Sequence, residues 1–549
     1  IVAVRQYSTW SNGLIVDGIK MAPELVEVVL AAIRRSQWLK RIVLRNCGLQ
    51  KDFIYSLGQS LAANTALPLQ TIDLSKNVFD DKKPVQYLGS VLAKMSHAPE
   101  EVLFADCALS DKAANGLANG LFLCQLSHSA LRKLSFAGNL LKEDVNEVYN
   151  LLSHCRNMEE LDLSHTGLPL DKLWNGLKFG GLTLKTLKLA GCHFAARKAK
   201  DLSTTPAGLK EFFSSVVALK HISFADTPLP VDVLKAVLLG LACNQQVSGI
   251  HLNLSATCDR NSLVVLETSI PSVCAVESLV LRDNNFDQEL APLLSALGRM
   301  KNLRRLDIGG NNFQMLRRHA NKQSSTITAI LMELVKVISD EETEIREVVL
   351  SDCKLGAHLS VLLNALGVAS TLRSLDISGN EIGNFGARLM AKALQINSSL
   401  ETLVIDRNQI GSDGFWDLAN ALKENVTLTS LPYPLIDATE SLARGDRVRT
   451  EGALAKVETC LFRNRGLHRP ELTAVDDSEV AYDSVQKQHT HYRLAMGSLD
   501  DELNKAVYSV QKSLAETSMD ENSAEVDNGR ALLEDAERAK EVRNSHLSL

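Results

Sequence analysis

Two groups of side chains in this sequence could do chemistry: aspartates that recur at one position of a repeated phrase, and two histidines close together. The aspartates are Asp73, Asp162, Asp307 and Asp376. Carboxylates on one face could form a row that binds a cation or a substrate, but the repeated phrase explains them better, since each belongs to a copy of it. His489 and His491 flank one threonine, whereas a structural zinc site needs four ligands. We therefore expect no metal site and no cofactor.

Motifs for nucleotide or nucleophilic chemistry are absent from the sequence. It contains no G-x-x-x-x-G-K-[S/T] phosphate loop, and no acid–base pair or catalytic triad can be argued from its spacing. The ten cysteines form no C-x-x-C pair, which favours reduced, structural cysteines and an intracellular protein. The sequence therefore predicts a protein that is not an enzyme.

The composition favours neither a nucleic-acid binder nor a membrane-spanning protein. The formal net charge is −6, and 45% of the residues are hydrophobic. So mild a charge favours neither nucleic acid nor an acidic membrane as a partner, and no apolar run reaches the roughly 18 residues that a membrane span needs. The chain begins at Ile1 without a signal-peptide pattern, so we expect a fragment of a longer protein.

The feature that decides the fold is the phrase L-x-x-L-x-L-x-x-[N/C/T]-x-L, which returns from Leu39 to Ile410 about every 27 to 30 residues. Clear copies include "LRSLDISGNEI" and "LETLVIDRNQI", and a blurred copy reads "VSGIHLNLSAT". The ninth position holds a small side chain that can donate hydrogen bonds to buried turn backbone. We predict that these residues form a structural ladder: Cys47, Asn77, Cys107, Asn139, Thr166, Cys192, Thr227, Asn284, Asn311, Cys353, Asn380 and Asn408.

After each copy of the phrase comes a stretch with helical periodicity, such as "GARLMAKALQIN". The unit is therefore a strand, a loop and a helix. The predicted fold is α/β, a leucine-rich repeat solenoid of the ribonuclease-inhibitor-like horseshoe type with a C-terminal helical extension. Parallel strands should line its concave side and helices its convex side, because a helix is wider than a strand. Each repeat packs only on its neighbours, so the chain needs no central core.

Two longer spacings interrupt the repeat, one before Thr227 and one before Cys353. The second contains a basic cluster formed by Arg317, Arg318, His319 and Lys322. Insertions in solenoids fall on loops, where they either carry binding function or are simply tolerated. Both interpretations stay open for this chain.

We place the domain boundaries where the repeated phrase is no longer recognisable. We assign 1–38 to an N-terminal cap with a degenerate first repeat, 39–438 to the solenoid, 439–469 to a C-terminal capping helix, 470–498 to a linker, and 499–549 to a helical segment. Pro432 and Pro434 place the last copy at an edge, because proline cannot donate into a strand ladder. The final segment has narrow apolar stripes that need a partner surface. Its candidate dimerisation residues are Leu503, Val507, Val510, Leu514, Leu532 and Val542.

The segment "KALQINSSLETLVIDRNQIGSDGFWDLANALKENVTLTSLPYPLIDA" (392–438) closely resembles the last repeats and cap of the CARMIL family, the capping protein, Arp2/3 and myosin-I linkers. Further similarities are "FFSSV" after the first long spacing, "LLNALG", and "CLFRNRG" in the capping helix. The resemblance extends over essentially the whole chain and includes the repeat count and both long spacings.

The resemblance implies a domain layout and a set of partners. Proteins of that family have an N-terminal pleckstrin-homology-like membrane-binding domain, the solenoid, a helical dimerisation region and a disordered tail that binds capping protein. The implied partners are a second copy of the chain and actin-regulatory proteins: capping protein through a tail absent from this sequence, and myosin-I as a further candidate. Membrane contact would come through the N-terminal domain, which this sequence also lacks. No nucleic acid is implied.

We therefore expect a cytoplasmic, cytoskeleton-associated scaffold that is recruited to the plasma membrane at the leading edge, where its parent protein regulates actin capping protein. Two alternatives stay open. One is a solenoid that inhibits an enzyme or regulates a GTPase, although concave positions such as Val43, Ser164 and Ala225 offer no run of Trp or Tyr anchors. The other is the ligand-sensing repeat domain of a receptor, which would need an upstream nucleotide-binding module.

Overall fold

The computed structural model describes residues 12–141, 145–194, 205–286, 289–311 and 324–468. In these ranges fourteen parallel strands form one sheet that follows the order of the chain, so that each strand pairs with the next. The strands are β1 (Gly13–Asp17), β2 (Arg41–Arg45), β3 (Thr71–Asp73), β4 (Glu101–Leu103), β5 (Lys133–Ser135), β6 (Glu160–Asp162), β7 (Thr186–Lys188), β8 (His221–Ser223), β9 (Ile250–Asn253), β10 (Val276–Val280), β11 (Arg305–Asp307), β12 (Glu347–Val349), β13 (Ser374–Asp376) and β14 (Thr402–Val404). This architecture confirms the predicted leucine-rich repeat fold.

The leucines of the phrase explain why such short strands form a stable sheet. The same phrase position is in register in neighbouring strands, so Leu375 of β13 lies between Val348 of β12 and Leu403 of β14. All three side chains are buried and belong to a continuous apolar row that is removed from water. A strand of only three residues is therefore stabilised by the two strands beside it, because each repeat packs only on its neighbours.

Helices follow the strands, which gives the predicted unit of strand, loop and helix. They are α1 (Pro23–Arg35), α2 (Phe53–Ala62), α3 (Lys82–Leu92), α4 (Asp111–Leu123), α5 (Ser127–Ala130), α6 (Asn146–His154), α7 (Leu173–Gly180), α8 (Leu209–Ser215), α9 (Val231–Cys243), α10 (Arg260–Ser269), α11 (Leu290–Leu297), α12 (Ser324–Ser339), α13 (Ser360–Leu366), α14 (Gly383–Ile396), α15 (Ser412–Leu422), α16 (Leu435–Arg444) and α17 (Arg447–His468). Glycines allow some neighbouring helices to approach each other closely. A Cβ atom on Gly120 of α4 would overlap the carbonyl oxygen of Gly89 of α3, so no larger residue fits there.

Side-chain amides join the buried turn of one repeat to the turn before it. Asn380 Nδ2 donates to the carbonyl oxygen of Leu350 in the preceding repeat at 2.9 Å and to that of Ile377 in its own repeat at 2.9 Å. Its Oδ1 accepts the N–H of Leu355 at 3.2 Å. The same donation to the preceding repeat is made by Asn77, Asn139, Asn284, Asn311 and Asn408.

Cysteine and threonine at the ninth position can make the same contact with a single donor group. Thr227 Oγ1 donates to the carbonyl oxygen of Leu189 at 2.7 Å, and Cys107 Sγ donates to that of Leu74 at 3.3 Å. A thiol is a poor donor, so the asparagine copies tie neighbouring turns together more strongly. Every residue predicted for the ladder is buried.

The blurred copy "VSGIHLNLSAT" is misaligned in the sequence analysis: in the structure, the phrase in this repeat begins two residues later. Leu252 of β9 pairs with Ile222 of β8, so the ninth position of this copy is Thr257. Thr257 Oγ1 donates to the carbonyl oxygen of Phe224 at 2.6 Å, as a ladder residue does. The sequence analysis missed Thr257 because Gly249 stands where the first leucine of the copy would be.

A carboxylate closes the C-terminal end of the repeats. The Asp437 carboxylate accepts the N–H of Asn408 at 2.8 Å and that of Gln409 at 2.8 Å. Asp406 Oδ1 in turn accepts the N–H of Asp437 at 3.1 Å. Burial raises the pKa of the Asp437 carboxyl above its ordinary value, against the lowering effect of these N–H groups. The two carboxylates thus tie the last repeat to the first turn of α16.

A second set of asparagines, which the sequence analysis did not single out, joins the repeats near the C-terminal ends of the helices. Asn397 Nδ2 donates to the carbonyl oxygen of Leu366 at 2.7 Å, and Asn425 Nδ2 donates to that of Leu394 at 2.9 Å. Asn464 of α17 continues the series, because its Nδ2 donates to the carbonyl oxygen of Asn425 at 3.1 Å. The pattern N-x-x-L just before the phrase could have identified the first two.

Several predicted features lie outside the described residues. These are His489 and His491, the basic cluster Arg317, Arg318, His319 and Lys322, the linker 470–498, and the candidate dimerisation residues Leu503, Val507, Val510, Leu514, Leu532 and Val542. Their roles stay predictions from the sequence.

Replacing Asn380 by alanine should destabilise the protein strongly, because the buried carbonyl group of Leu350 and the buried N–H of Leu355 lose their partner, whereas the carbonyl group of Ile377 keeps the amide of Asn408. Leaving buried groups unpaired costs about 1–3 kcal/mol each, so we expect a loss of about 3 kcal/mol in the free energy of unfolding. Urea denaturation measures this loss. The control is Asn150→Ala at an exposed position of α6, which should stay within about 0.5 kcal/mol of the original protein. Equal losses for the two variants would contradict the role given to Asn380.

Candidate binding surface on the open face of the sheet

The face of the sheet opposite the helices, here called the open face, receives outward side chains from every strand. β8 contributes His221 and Ser223, and β9 contributes His251 and Asn253, whereas Ile222 between the first two is buried. Because side chains alternate along a strand, the outward residues form rows that run across the strands. This face corresponds to the predicted concave side, and it is where a partner could contact the repeats.

The four recurring aspartates lie on the open face but do not form a cluster. They belong to β3, β6, β11 and β13, so no two of them are on adjacent strands, and the nearest two are roughly 10 Å apart. Each instead accepts a backbone N–H two residues further along the chain, at 2.9–3.1 Å. The aspartates therefore close the turns at the ends of their own strands. Among the described residues no group of three His, Cys, Asp or Glu is arranged to hold a metal ion.

An open cavity of about 560 Å³ lies over strands β6 to β11 on this face. The rings of His221 and His251 stack at its centre, with 4.7 Å between their centroids and 16° between their planes. The two residues face each other directly in the register of β8 and β9. Burial, followed by the charges of His251 and Lys188, lowers the pKa of His221 below its ordinary value.

Two ion-pair groups flank the histidines. On one side Lys188 Nζ lies 2.8 Å from Glu160 Oε1 and 3.8 Å from Asp162 Oδ2. On the other side Arg305 Nη1 lies 3.1 Å from Glu347 Oε1. Arg305 Nη2 also lies 3.6 Å from Asp307 Oδ2. Both cations are partly exposed, with 43% and 40% of their side-chain surfaces accessible, so these pairs contribute little stability.

Beside this cavity, Arg282 spans three repeats. Its Nη1 donates to Ser351 Oγ at 2.7 Å and to Asp307 Oδ1 at 3.3 Å, and its Nη2 lies 3.7 Å from Asp352 Oδ2. Gly309 makes this possible, since a Cβ atom there would overlap the guanidinium and lie 2.9 Å from the Ser351 carbonyl oxygen. Arg282 therefore stiffens the open face across β10, β11 and β12.

The cysteines are not arranged for nucleophilic chemistry. All ten are unpaired, and eight of them are buried. Burial raises the pKa of Cys107 and that of Cys353 to about 12. The reactive thiolate is therefore scarce at these ladder positions near neutral pH.

The sequence analysis did not find the histidine pair. The two residues lie in consecutive repeats, and the alignment of the second repeat was obscured by Gly249. Once Leu252 is aligned with Ile222, both histidines occupy the same phrase position, just before the strand leucine. That coincidence was the available signal.

Comparison with known proteins assigns the repeats to a family. The family model described as "CARMIL family, LRR domain" matches residues 1–466. The chain belongs to the CARMIL family. This finding confirms the resemblance noted in the sequence.

Individual CARMIL proteins match over most of this chain. The human "Capping protein, Arp2/3 and myosin-I linker protein 3" is 33% identical over 470 residues, which are 84% of this chain and 33% of the relative. The mouse linker protein 2 is 34% identical over 469 residues, again 84% of this chain and 33% of the relative. "Protein CARMIL" of Dictyostelium discoideum is 24% identical over 400 residues, 70% of this chain and 36% of the relative. The chain thus spans about a third of the length of these curated relatives.

No helix among the described residues is both long enough and apolar enough to cross a membrane.

Replacing Gly309 by alanine should destabilise this CARMIL repeat region, because the new methyl group displaces Arg282 and crowds the carbonyl oxygen of Ser351. Overpacking of this kind costs about 1–3 kcal/mol, and thermal and urea unfolding measure it. The matched control is Gly452→Ala in α17, where a Cβ atom meets nothing within 4 Å. The control should be neutral or stabilising by up to about 1 kcal/mol. If both variants were equally stable, the bridging role of Arg282 would be wrong.

Proposed function

We propose that this chain is the non-catalytic scaffold of an actin-cytoskeleton regulator, which positions and dimerises a protein that regulates actin capping protein at the plasma membrane. The observation that supports this most is the family match over residues 1–466. The names of the relatives describe linkers of capping protein, Arp2/3 and myosin-I. A repeat region within such a linker is suited to hold other segments at a set separation.

The use of polar groups in the described residues favours a scaffold. Asp73 and Asp307 accept backbone N–H groups at the ends of their strands, and Asp437 caps the last repeat. The ladder cysteines are buried. Groups that serve in catalysis elsewhere here close the turns of their own strands or cap the last repeat, which leaves the open face and the two ends of the solenoid for contacts with partners.

We assign the partner contacts as follows. Capping protein would bind a tail beyond residue 549, membrane contact would come through a domain before residue 1, and myosin-I is a further candidate partner. The relatives are about three times as long as the matched region, which leaves room for these parts. The protein would work in the cytoplasm on the actin cytoskeleton and be recruited to the leading edge.

We place dimerisation in the segment 499–549. Leu503, Val507, Val510 and Leu514 are spaced four, three and four residues apart, as on one stripe of a helix. Helices of this length are marginal alone in water, so the stripe needs an apolar partner. A second copy of the same segment supplies one.

The test is light scattering on the full-length protein mixed with capping protein. We expect a complex that contains two copies of each. The double variant Leu503→Asp, Val510→Asp places charges on the apolar stripe and should give one copy of each, with capping protein still bound. The matched control, Asn504→Asp with Ser509→Asp, changes the same helix off the stripe and should keep two copies.

The two parts of the proposal fail in different ways. A full-length protein that binds no capping protein would overturn the actin-regulatory function. If the stripe variant still contained two copies, the proposed dimerisation through 499–549 would be wrong, and the rest of the proposed function would stand.

A further inference from the structure

The segments that lead from a helix into the next strand lie side by side along one edge of the repeats. Backbone hydrogen bonds join them. The N–H of Arg156 donates to the carbonyl oxygen of His128 at 2.8 Å, and the N–H of Val217 donates to that of Leu182 at 2.9 Å. Five consecutive segments of this edge, which precede β4 to β8, are here called the basic rim: 93–100, 123–132, 153–159, 178–185 and 215–219.

Four large apolar side chains of the basic rim are exposed to solvent. The exposed fraction is 61% for Leu123, 52% for Leu126, 68% for Phe179 and 49% for Val217. Single exposed apolar residues are ordinary on protein surfaces. Here they coincide with an uneven distribution of charge on the same edge, and the two features together mark a contact surface.

The charged side chains of the basic rim are mostly cationic. Its five segments contain five lysines and arginines but only two glutamates, an excess of three positive charges. The glutamates and two of the cations form the ion pairs Arg132–Glu100, Arg132–Glu159 and Lys185–Glu159. The excess is carried by three cations that form no ion pair with any residue in the described ranges: Lys94, Arg156 and Lys178.

This excess is local, because the whole chain has a net charge of −6. The corresponding segment before β12 is acidic, with Asp340, Glu341, Glu342 and Glu344. Cations near the C-terminal end of a helix are favoured by the helix dipole, which accounts for the sign of the charge on the basic rim. The dipole does not account for the exposed apolar side chains beside these cations.

We propose that the basic rim contacts the surface of an anionic lipid bilayer. The four exposed apolar side chains enter the headgroup region, and the three unpaired cations lie against the anionic headgroups. The proposal goes beyond the scaffold function, since it gives the repeats a membrane contact of their own in addition to the one assigned to a domain before residue 1.

The arrangement around Phe179 fits a membrane surface. Lys178 Nζ lies 5.0 Å from the centroid of the Phe179 ring, so a cation stands beside the most exposed apolar side chain of the basic rim. Segments that lie on membranes combine these two features: the apolar side chain reaches the acyl boundary, and the lysine keeps its charged group among the headgroups.

A bilayer fits the basic rim better than an acidic protein does. Binding energy in protein interfaces is concentrated in central clusters rich in Trp, Tyr and Arg, where Leu and Val are under-represented. The apolar side chains of the basic rim are Leu, Val and Phe, and they come from three separate segments. A lipid surface accepts separate side chains of this kind, because the binding strength follows the total apolar area and the charge.

The contact is weak by itself. Each lysine or arginine near an anionic surface strengthens binding about fivefold, so three cations strengthen it on the order of a hundredfold. Stable association with a membrane takes two signals. The basic rim would therefore supply the second of two contacts and orient the repeats on the membrane.

Co-sedimentation of the chain of residues 1–549 with lipid vesicles tests the proposal. The vesicles contain either about 30% phosphatidylserine in phosphatidylcholine or phosphatidylcholine alone. We expect binding at least about tenfold tighter to the phosphatidylserine vesicles at about 0.1 M salt. Most of this difference should disappear at about 1 M salt, where charges are screened beyond about 3 Å.

A pair of charge variants locates the contact. Arg156→Gln with Lys178→Gln should weaken binding to the phosphatidylserine vesicles about 25-fold. The matched control, Lys112→Gln with Lys172→Gln, removes two exposed cations near the other ends of α4 and α7 and should change binding less than about twofold. Circular dichroism shows that each variant keeps its fold.

A pair of apolar variants tests insertion. Leu126→Ser with Phe179→Ser should weaken binding at least about tenfold. The matched control, Val264→Ser with Phe385→Ser, changes two residues that are 60% and 64% exposed and lie away from the basic rim. It should bind as the original chain does.

Three results would overturn the proposal: equal binding to the two kinds of vesicle, variants of the basic rim that bind as well as their controls, or binding of polyglutamate without binding of vesicles. The last result would identify an acidic protein as the partner. Each of them would leave the scaffold function and the dimerisation standing, because neither depends on this edge.

Discussion

The structure depends on the pairing of backbone polar groups that the repeats bury between them. Each short strand ends in a turn whose N–H and C=O groups lie inside the stack, where an unpaired group costs about 1–3 kcal/mol. Amides such as those of Asn380 and Asn408 donate to the repeat before them. The leucine row can then pack on a satisfied backbone, and repeats can be added without a common core.

The ladder and the leucines fix the inward strand positions, and the outward strand positions carry no such requirement. Asp73 and Asp307 look like a functional row in the sequence, yet each closes the turn of its own strand. His221 and His251 differ from these aspartates, because their rings stack on each other through the register of β8 and β9. The chemistry of the open face is therefore decided by the outward strand positions of adjacent repeats.

Most of the fold could be predicted because the geometry of stacked repeats imposes the spacing of the leucines. The prediction failed where a residue breaks that spacing: Gly249 hides one copy and so concealed Thr257 as a ladder residue. The role of Asp437 was not predicted, because this residue follows the last copy of the repeated phrase and pairs with the ladder through a carboxylate and not through an amide. The histidine pair could not be found until the hidden copy was aligned, since outward positions follow no period.

A scaffold can hold its partners at a set separation only if its turns do not open. Native-state hydrogen exchange of the ladder N–H groups measures this opening most directly. The N–H groups of Cys107 and Leu355, which donate to Asn139 and Asn380, should exchange at least about a thousandfold more slowly than unprotected amides. Exchange at the rate of exposed loop amides would contradict the claim that the side-chain ladder holds the repeats together.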